Sequence, residues 1–211
     1  MQNLQIASAL LEIEAVGFSP HAPVTFKSGI VSPVYVDSRS LPYNPPQWRL
    51  VIEAFQTLAE ALTFDVIAGV AVGGVPHSSA LAYVMHKPSI FVRKEAKEHG
   101  KKKLVEGGDV AGRRVLLVED VVTTGGSSLQ AVASLREDGA LVEDMLAIVS
   151  YDFVETRTAL MEAGVHLHTL TNFALIILEA LERGKFNKSQ MEIINDWFNN
   201  PQGWAARHGF A

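Results

Sequence analysis

Two adjacent acids, Glu119 and Asp120, are the residues of this chain whose type and setting best suit chemistry. Four apolar residues, 115–118, precede them and indicate a buried strand, and a hydroxyl- and glycine-rich run, 123–128, follows. Helical spacing resumes after Ser128, so the run would form a turn at a helix N-terminus, whose backbone N–H groups attract anions. The acids are predicted at the carboxyl end of the strand, where open α/β sheets bind ligands. Carboxylates beside such a turn suit a phosphorylated sugar.

A second glycine-rich turn, residues 69–76, repeats the order of strand, turn and helix. Its central residues, Val72 and Gly73, would present backbone N–H groups to phosphate oxygens. Such a turn is as often a plain connection as a binding site. Two of them after neighbouring strands favour a substrate that carries phosphate at both ends.

A basic run, residues 93–103, follows a short apolar strand and would therefore begin at the same edge of the sheet. Charged runs usually form solvated loops. At this edge, however, cations could neutralise the negative charge that builds on a departing anion. The run contains the cations Arg93, Lys94, Lys97, Lys101, Lys102 and Lys103, together with His99.

The fold that must position these residues is predicted to be α/β, since apolar strands alternate with helical segments. A central, mostly parallel sheet would be flanked by helices. We predict one domain over residues 1–211, with a small N-terminal hood (1–45), a core sheet (46–172) and a C-terminal helical segment (173–211). An amphipathic helix is predicted over residues 6–16, ended by Gly17.

The composition of the chain argues against several classes of protein. With 48% hydrophobic residues, the 211-residue chain can form a full core. A net charge of −5 argues against a broad nucleic-acid-binding face. The chain has no cysteine, no apolar run near the ~18 residues of a membrane helix, and no basic secretory N-terminus. These features favour a cytoplasmic protein without a membrane partner.

The ordered motifs resemble those of the orotate phosphoribosyltransferases, a branch of the type I phosphoribosyltransferases. The run from 115 to 128 resembles their phosphoribosyl pyrophosphate signature, and residues 69–76 resemble their pyrophosphate loop. The basic run resembles their catalytic loop. The segment 26–39 resembles their N-terminal base-binding segment, which distinguishes them from purine and uracil enzymes.

The resemblance implies a role for each matching residue. The catalytic residues would be Lys97, His99, Glu119 and Asp120. The donor, phosphoribosyl pyrophosphate, would be bound by Lys27, Val72, Gly73, Arg93, Lys94, Lys97, His99, Glu119, Asp120, Val121, Val122, Thr123, Thr124, Gly125, Gly126 and Ser127. Orotate would be contacted by Tyr35, Val36 and Thr123.

The resemblance also implies Mg²⁺, bridged through the substrate with no direct protein ligand, and a homodimer in which the catalytic loop reaches the neighbouring subunit. Many members carry a basic residue where this chain has Gly73, and an arginine for the orotate carboxylate about where it has Asp152. The missing arginine leaves a phosphoribosyltransferase for another base as an alternative. A second alternative is a non-catalytic regulator that senses the donor, which would be expected to carry a basic nucleic-acid surface.

Overall fold

The computed structural model describes residues 2–95 and 104–210. Its N-terminal part begins with α1 (Gln2–Glu12) and continues into two small antiparallel pairs of strands. In these pairs, β1 (Val16–Phe18) lies beside β4 (Val34–Val36), and β2 (Val24–Thr25) lies beside β3 (Val31–Ser32). A 3₁₀ helix, Ser38–Tyr43, then leads into the core.

The helix predicted over residues 6–16 was wrong at both ends. α1 ends at Glu12, and Glu14 then adopts a left-handed conformation with φ of 56°, so the chain turns back. The Ala15 N–H closes this turn on the Leu10 carbonyl at 2.9 Å. Val16 continues the apolar periodicity but pairs with Val36 instead, because strand pairing satisfies its backbone groups.

Most of the remaining strands are followed by a helix, as predicted. The remaining elements are α2 (Pro45–Ala59), β5 (Val66–Val70), α3 (Gly74–Val84), β6 (Ser89–Val92), β7 (Val105–Glu106), β8 (Val115–Val122), α4 (Gly126–Glu137), β9 (Asp144–Ser150), α5 (Val154–Glu162), β10 (His166–Asn172), α6 (Phe173–Glu182), α7 (Lys188–Asn199) and α8 (Pro201–Arg207).

Among the described residues, six strands form the central sheet, in the order β10–β9–β8–β5–β6–β7. Its strand pairs are parallel except the last, in which β7 runs antiparallel to β6. The predicted α/β class with a mostly parallel sheet flanked by helices is confirmed. Because parallel strands end at one edge, the turns after β5, β6 and β8 come together.

The core lies on both faces of the sheet, as β8 illustrates. Leu116 and Val118 join the cluster that contains residues of α1, α2 and the C-terminal helices. Val115 and Leu117 join the cluster under α4. This alternation follows from the two-residue period of a strand, and it sets the directions of the two acids that follow.

The C-terminal helices pack onto the hood and the end of β9. The Trp197 indole N–H donates to the Val31 carbonyl at 2.9 Å. Tyr151 stacks on Phe173 with ring centroids 4.6 Å apart, and Phe26 meets the edge of Tyr151. Within the described ranges, every helix is too short or too polar to cross a bilayer.

Candidate active site

A cradle of backbone N–H groups lies between the end of β8 and the start of α4. Gly125, with φ of +74°, makes the sharp turn that aims the first N–H groups of α4 into a cavity of about 350 Å³. No side chain of the described residues caps this helix end. The hydroxyl of Ser128 is buried there without a hydrogen-bond partner in the described structure. Unpaired donors at a helix N-terminus suit an anion such as a phosphate group.

The cradle is held from behind by α5. The Thr156 hydroxyl donates to the Thr123 carbonyl at 2.8 Å. A Cβ at Gly125 would lie 3.0 Å from the methyl group of Thr156, so the turn packs closely against this helix. The turn is therefore positioned by tertiary contact as well as by its own sequence.

The two acids lie inside β8, and the prediction that they end the strand was wrong. β8 continues to Val122 because β9 pairs with it from Leu117 to Val122, the partner of Ser150. On its other side β5 pairs only as far as Val118. Beyond that residue β8 borders an open crevice, and its alternating side chains place Glu119 and Asp120 on opposite faces of the sheet.

Glu119 points toward α4 and is nearly closed off from solvent, with 3% of its surface exposed. Its carboxyl accepts from the Ser127 hydroxyl at 3.0 Å. Burial, reinforced by the neighbouring Asp120, raises the pKa of Glu119 from 4.5 to about 8. At neutral pH the unliganded protein therefore holds Glu119 mostly in its neutral form.

This burial predicts a pH-dependent stability that Glu119→Gln removes. Between the unfolded pKa of 4.5 and the folded pKa of about 8, the folded chain keeps a proton that the unfolded chain has lost. The free energy of unfolding therefore falls as pH rises through this window. We therefore expect the melting temperature of Glu119→Gln to rise relative to that of wild type as the pH increases from 5 to 8.

His77 titrates in the opposite sense, since burial lowers its pKa to about 4. Both proteins contain His77, so the difference between their melting curves isolates Glu119. Parallel curves from pH 5 to pH 8 would contradict the raised pKa of Glu119.

Asp120 lies on the other face, half-buried and open to the crevice. The buried Ser38 hydroxyl of the 3₁₀ helix donates to its carboxylate at 3.0 Å. The same carboxylate fills the space beside Gly73, where an added Cβ would overlap it. Asp120 is thus fixed between the hood and the turn after β5, and Gly73 is required by this close approach.

A second cavity, of about 440 Å³, opens beside the cradle and extends from Asp120 to the hood. Its apolar wall contains Phe26, Val36 and Tyr151. The Tyr151 hydroxyl lies close enough to the Val36 backbone for the two to interact, which brings β4 beside the end of β9. The two cavities share Lys27, Lys94, Val121, Thr123 and Ser127. An anionic group, a sugar and a flat base could therefore lie in one continuous space.

The structure brings most of the predicted site residues together around these cavities. Those that line one or both are Lys27, Val36, Val72, Gly73, Lys94, Glu119, Asp120, Val121, Val122, Thr123, Thr124, Gly125, Gly126 and Ser127.

Two predicted residues lie outside the linings. The Tyr35 ring packs over Gly17, away from the cavity that its neighbour Val36 lines. Arg93 pairs with Glu106 of β7 at 3.5 Å. Lys97 and His99 fall outside the described residues.

Sequence reasoning assigned no role to Ser38, Arg39, Phe26 or Tyr151, all of which line or support the cavity. Polar residues directly after β4 were the available signal for Ser38 and Arg39. The sequence signal for Tyr151 was weaker: it directly follows a buried strand, at the edge of the sheet where ligands bind. The described residues contain no group of three His, Cys, Asp or Glu side chains placed to hold a metal ion.

Comparisons with known proteins agree with this geometry. The sequence model of the phosphoribosyl transferase domain matches residues 42–152. The chain is 38% identical over 205 residues to the orotate phosphoribosyltransferase of Coxiella burnetii, covering 96% of this chain and 98% of that protein.

Solved structures show the same likeness. The orotate phosphoribosyltransferase of Aeropyrum pernix superposes with a TM-score of 0.73 at 28% identity, over 86% of this chain and 99% of that chain. The Mycobacterium tuberculosis orotate phosphoribosyltransferase, solved in complex with 5-phospho-α-D-ribosyl 1-diphosphate, superposes with a TM-score of 0.64 at 25% identity. That match covers 83% of this chain and 99% of the other. This chain therefore belongs to the phosphoribosyltransferase family and, within it, to the orotate phosphoribosyltransferases.

Proposed function

We propose that this enzyme transfers the phosphoribosyl group of 5-phosphoribosyl 1-pyrophosphate to orotate, giving orotidine 5′-monophosphate and pyrophosphate for pyrimidine biosynthesis. The observation that carries the proposal is the continuity of the two cavities, because it sets a phosphate cradle, a carboxylate and an apolar wall side by side. In the reaction the bond from C1 of the ribose to N1 of orotate forms. The bond from C1 to the pyrophosphate oxygen breaks, and its electron pair leaves with pyrophosphate.

The 5′-phosphate of the donor would bind in the cradle. The backbone N–H groups at the start of α4 and the unpaired Ser128 hydroxyl supply donors, and the helix dipole favours negative charge. Thr123, Thr124 and Ser127 line the same space with hydroxyl groups. This end of the donor would then fix the position of C1 relative to the base.

Asp120 would accept hydrogen bonds from the ribose hydroxyls and stabilise the positive charge that develops at C1. It suits this role because Ser38 already orients it and because it is open to the cavity. That Glu119 also holds ribose hydroxyls stays a prediction. Because Glu119 accepts a hydrogen bond from Ser127, which lines the cradle, it would also help to position the cradle for the phosphate.

Orotate would lie against the apolar wall formed by Phe26, Val36 and Tyr151. Thr123 and Lys27 line the polar side of that space and would hydrogen-bond the base or the donor. Tyr35 would act through its backbone in β4, since its ring packs over Gly17.

We propose that Mg²⁺ enters with the donor, whose pyrophosphate and ribose oxygens are the hard ligands that it prefers. Asp120 is the carboxylate placed to accept hydrogen bonds from those ribose hydroxyls. When bound, the ion neutralises negative charge that develops on the leaving pyrophosphate.

The basic run would complete the site from a second subunit of a homodimer. Lys94 lines both cavities of its own subunit, and the predicted residues Lys97 and His99, which follow it in sequence, would reach the site of the partner. Exposed apolar side chains on the 3₁₀ helix, α2 and α3 support such an interface, and α2 contacts both of the other elements. They are Tyr43, Leu50, Tyr83 and Val84, of which Tyr43 is 90% and Tyr83 is 83% exposed.

We also propose that the chain acts in the cytoplasm as one domain. A single apolar cluster includes Ile6 of the hood, Leu116 of the sheet and Trp197 of the C-terminal helices, which supports one cooperative unit. The absence of cysteine from the sequence is compatible with a reducing compartment.

The direct test of the reaction is the loss of orotate absorbance with phosphoribosyl pyrophosphate and Mg²⁺ present. We expect a loss that depends on both substrates and that stops on addition of a chelator. Turnover of uracil, hypoxanthine or adenine without turnover of orotate would favour another base. That alternative is supported by Asp152, which stands about where a carboxylate-binding arginine was expected.

Mixing inactive variants tests whether the loop is shared between subunits. Lys97→Ala and Asp120→Asn homodimers should each be nearly inactive, but a hybrid dimer would contain one intact site. When equal amounts exchange subunits at random, half of the dimers are hybrids. Each hybrid has one intact site of its two, so we expect about a quarter of wild-type activity to return.

The matched control for this mixture is Lys27→Ala with Asp120→Asn. Both residues line one cavity within a single subunit, so every site of the hybrid stays damaged and no activity should return. Equal behaviour of the two mixtures would contradict a shared loop.

A further inference from the structure

The pyrophosphate end of the site needs a cation that the turn after β5 does not supply. Pyrophosphate carries several negative charges, while Val72 and Gly73 offer only backbone groups. A basic side chain at position 73 would have to displace Asp120, because even a Cβ there overlaps its carboxylate. Besides Mg²⁺ and the basic run proposed above, another element that reaches this end of the cavity can supply compensating charge.

Three cations line the second cavity among the described residues: Lys27, Arg39 and Lys94. Lys27 and Lys94 also line the phosphate cradle, so they lie where the two cavities meet. Arg39 lines only the second cavity, which it shares with Val72, Gly73 and Asp120. Its charge is close enough to interact with Asp120. Arg39 is thus the cation on the side away from the cradle.

Asp37 holds the Arg39 guanidinium in one orientation. It accepts from Nε at 2.7 Å and from Nη2 at 2.6 Å, and it also accepts from the Arg39 backbone N–H at 3.1 Å. Five N–H donors belong to a guanidinium, so this pair leaves both donors of Nη1 and one of Nη2 without a protein partner in the described structure. The Arg39 side chain is 71% exposed, so these donors are accessible.

We propose that Arg39 binds the pyrophosphate group of the donor, supplying from the hood the positive charge that the turn at Val72 and Gly73 lacks. A fixed fork of N–H donors suits the oxygens of a phosphate group better than a flexible lysine would. Because Ser38, the preceding residue, orients Asp120, one short segment would position both the ribose and the leaving group. This inference rests on the proposed function, since it names a contact to the same donor.

The test compares wild-type protein with Arg39→Lys and Arg39→Ala by two measurements. Calorimetric binding of inorganic pyrophosphate with Mg²⁺ needs no turnover, and steady-state kinetics report the KM of each substrate. We expect Arg39→Ala to weaken pyrophosphate binding and raise the KM of the donor by about tenfold or more, the loss of one charge-assisted contact. The KM of orotate should change little, and Arg39→Lys should recover part of the loss.

Arg207→Ala is the matched control. Arg207, in α8, is also an exposed arginine, and it pairs with an aspartate, Asp196 of α7. It should leave both measurements unchanged, and equal melting temperatures would show that each variant is folded. A raised KM for orotate with unchanged pyrophosphate binding would overturn the proposal and assign Arg39 to the carboxylate of the base. Unchanged values throughout would remove Arg39 from the site.

The same design separates the inference from the proposed function. If wild-type protein fails to consume orotate, the proposed reaction is wrong, yet the pyrophosphate measurement still decides the role of Arg39. If wild-type protein consumes orotate and Arg39→Ala binds pyrophosphate normally, only the inference fails.

Discussion

Asp120→Asn is expected to lower kcat by about 10²–10³, the usual loss when one preorganised electrostatic group is removed from a reaction centre. Asparagine keeps the size of the side chain and the bond from Ser38, so the fold should be intact. The lost quantity is the full negative charge that faces C1 of the ribose. Steady-state turnover of orotate at saturating donor measures it.

Glu119→Gln provides the matched comparison, because it makes the same chemical change one residue earlier. Glu119 is already mostly neutral at pH 7, since burial raises its pKa to about 8. Glutamine should therefore cost far less activity, within about tenfold of wild type. If both variants lose activity equally, both carboxylates act in their charged forms and the division of roles proposed for the pair is wrong.

Gly73→Ala should also cause a large loss, of about ten- to a hundredfold in kcat/KM, because a reacting group displaced by ~1 Å can cost two orders of magnitude. The new Cβ would occupy the space of the Asp120 carboxylate, so either that side chain or the turn must move. We expect kcat to fall while the melting temperature changes little, because Asp120 borders an open cavity. Crystal structures of the variant would show the displacement directly.

Gly108→Ala is a suitable control for the added methyl group. Its backbone does not need a positive φ, and the new Cβ would make only an ordinary contact with Ile90 at 3.7 Å. It should be close to wild type in activity and stability. Normal activity of Gly73→Ala would mean that Asp120 works equally well from another rotamer.

Much of this site could be predicted from local sequence. The run after β8 combines Gly125, hydroxyl residues and the start of a helix, and such a turn has few structural alternatives. The alternation of apolar strands and helices likewise left little choice but a parallel sheet, whose strand ends share one edge. The cradle and its place in the fold follow from these local preferences.

The directions of Glu119 and Asp120 could be decided only by the tertiary structure. In the sequence the two acids are equivalent, and both were expected at the carboxyl end of their strand. Pairing with β9 extends β8 through both residues, which turns one toward α4 and the other toward the crevice. The raised pKa of Glu119 follows from that geometry, because burial depends on which face of the sheet a side chain occupies.

The sequence by itself determined the family, the α/β architecture and the phosphate cradle, because these depend on contiguous residues and regular periodicity. The tertiary structure alone decided which distant residues complete the site. Ser38 meets Asp120 across 82 positions of chain, Gly73 makes room for the same carboxylate, and the indole of Trp197 holds the hood at Val31. Such contacts join segments that have no local signal for one another, since they form only when the hood and the C-terminal helices pack onto the sheet.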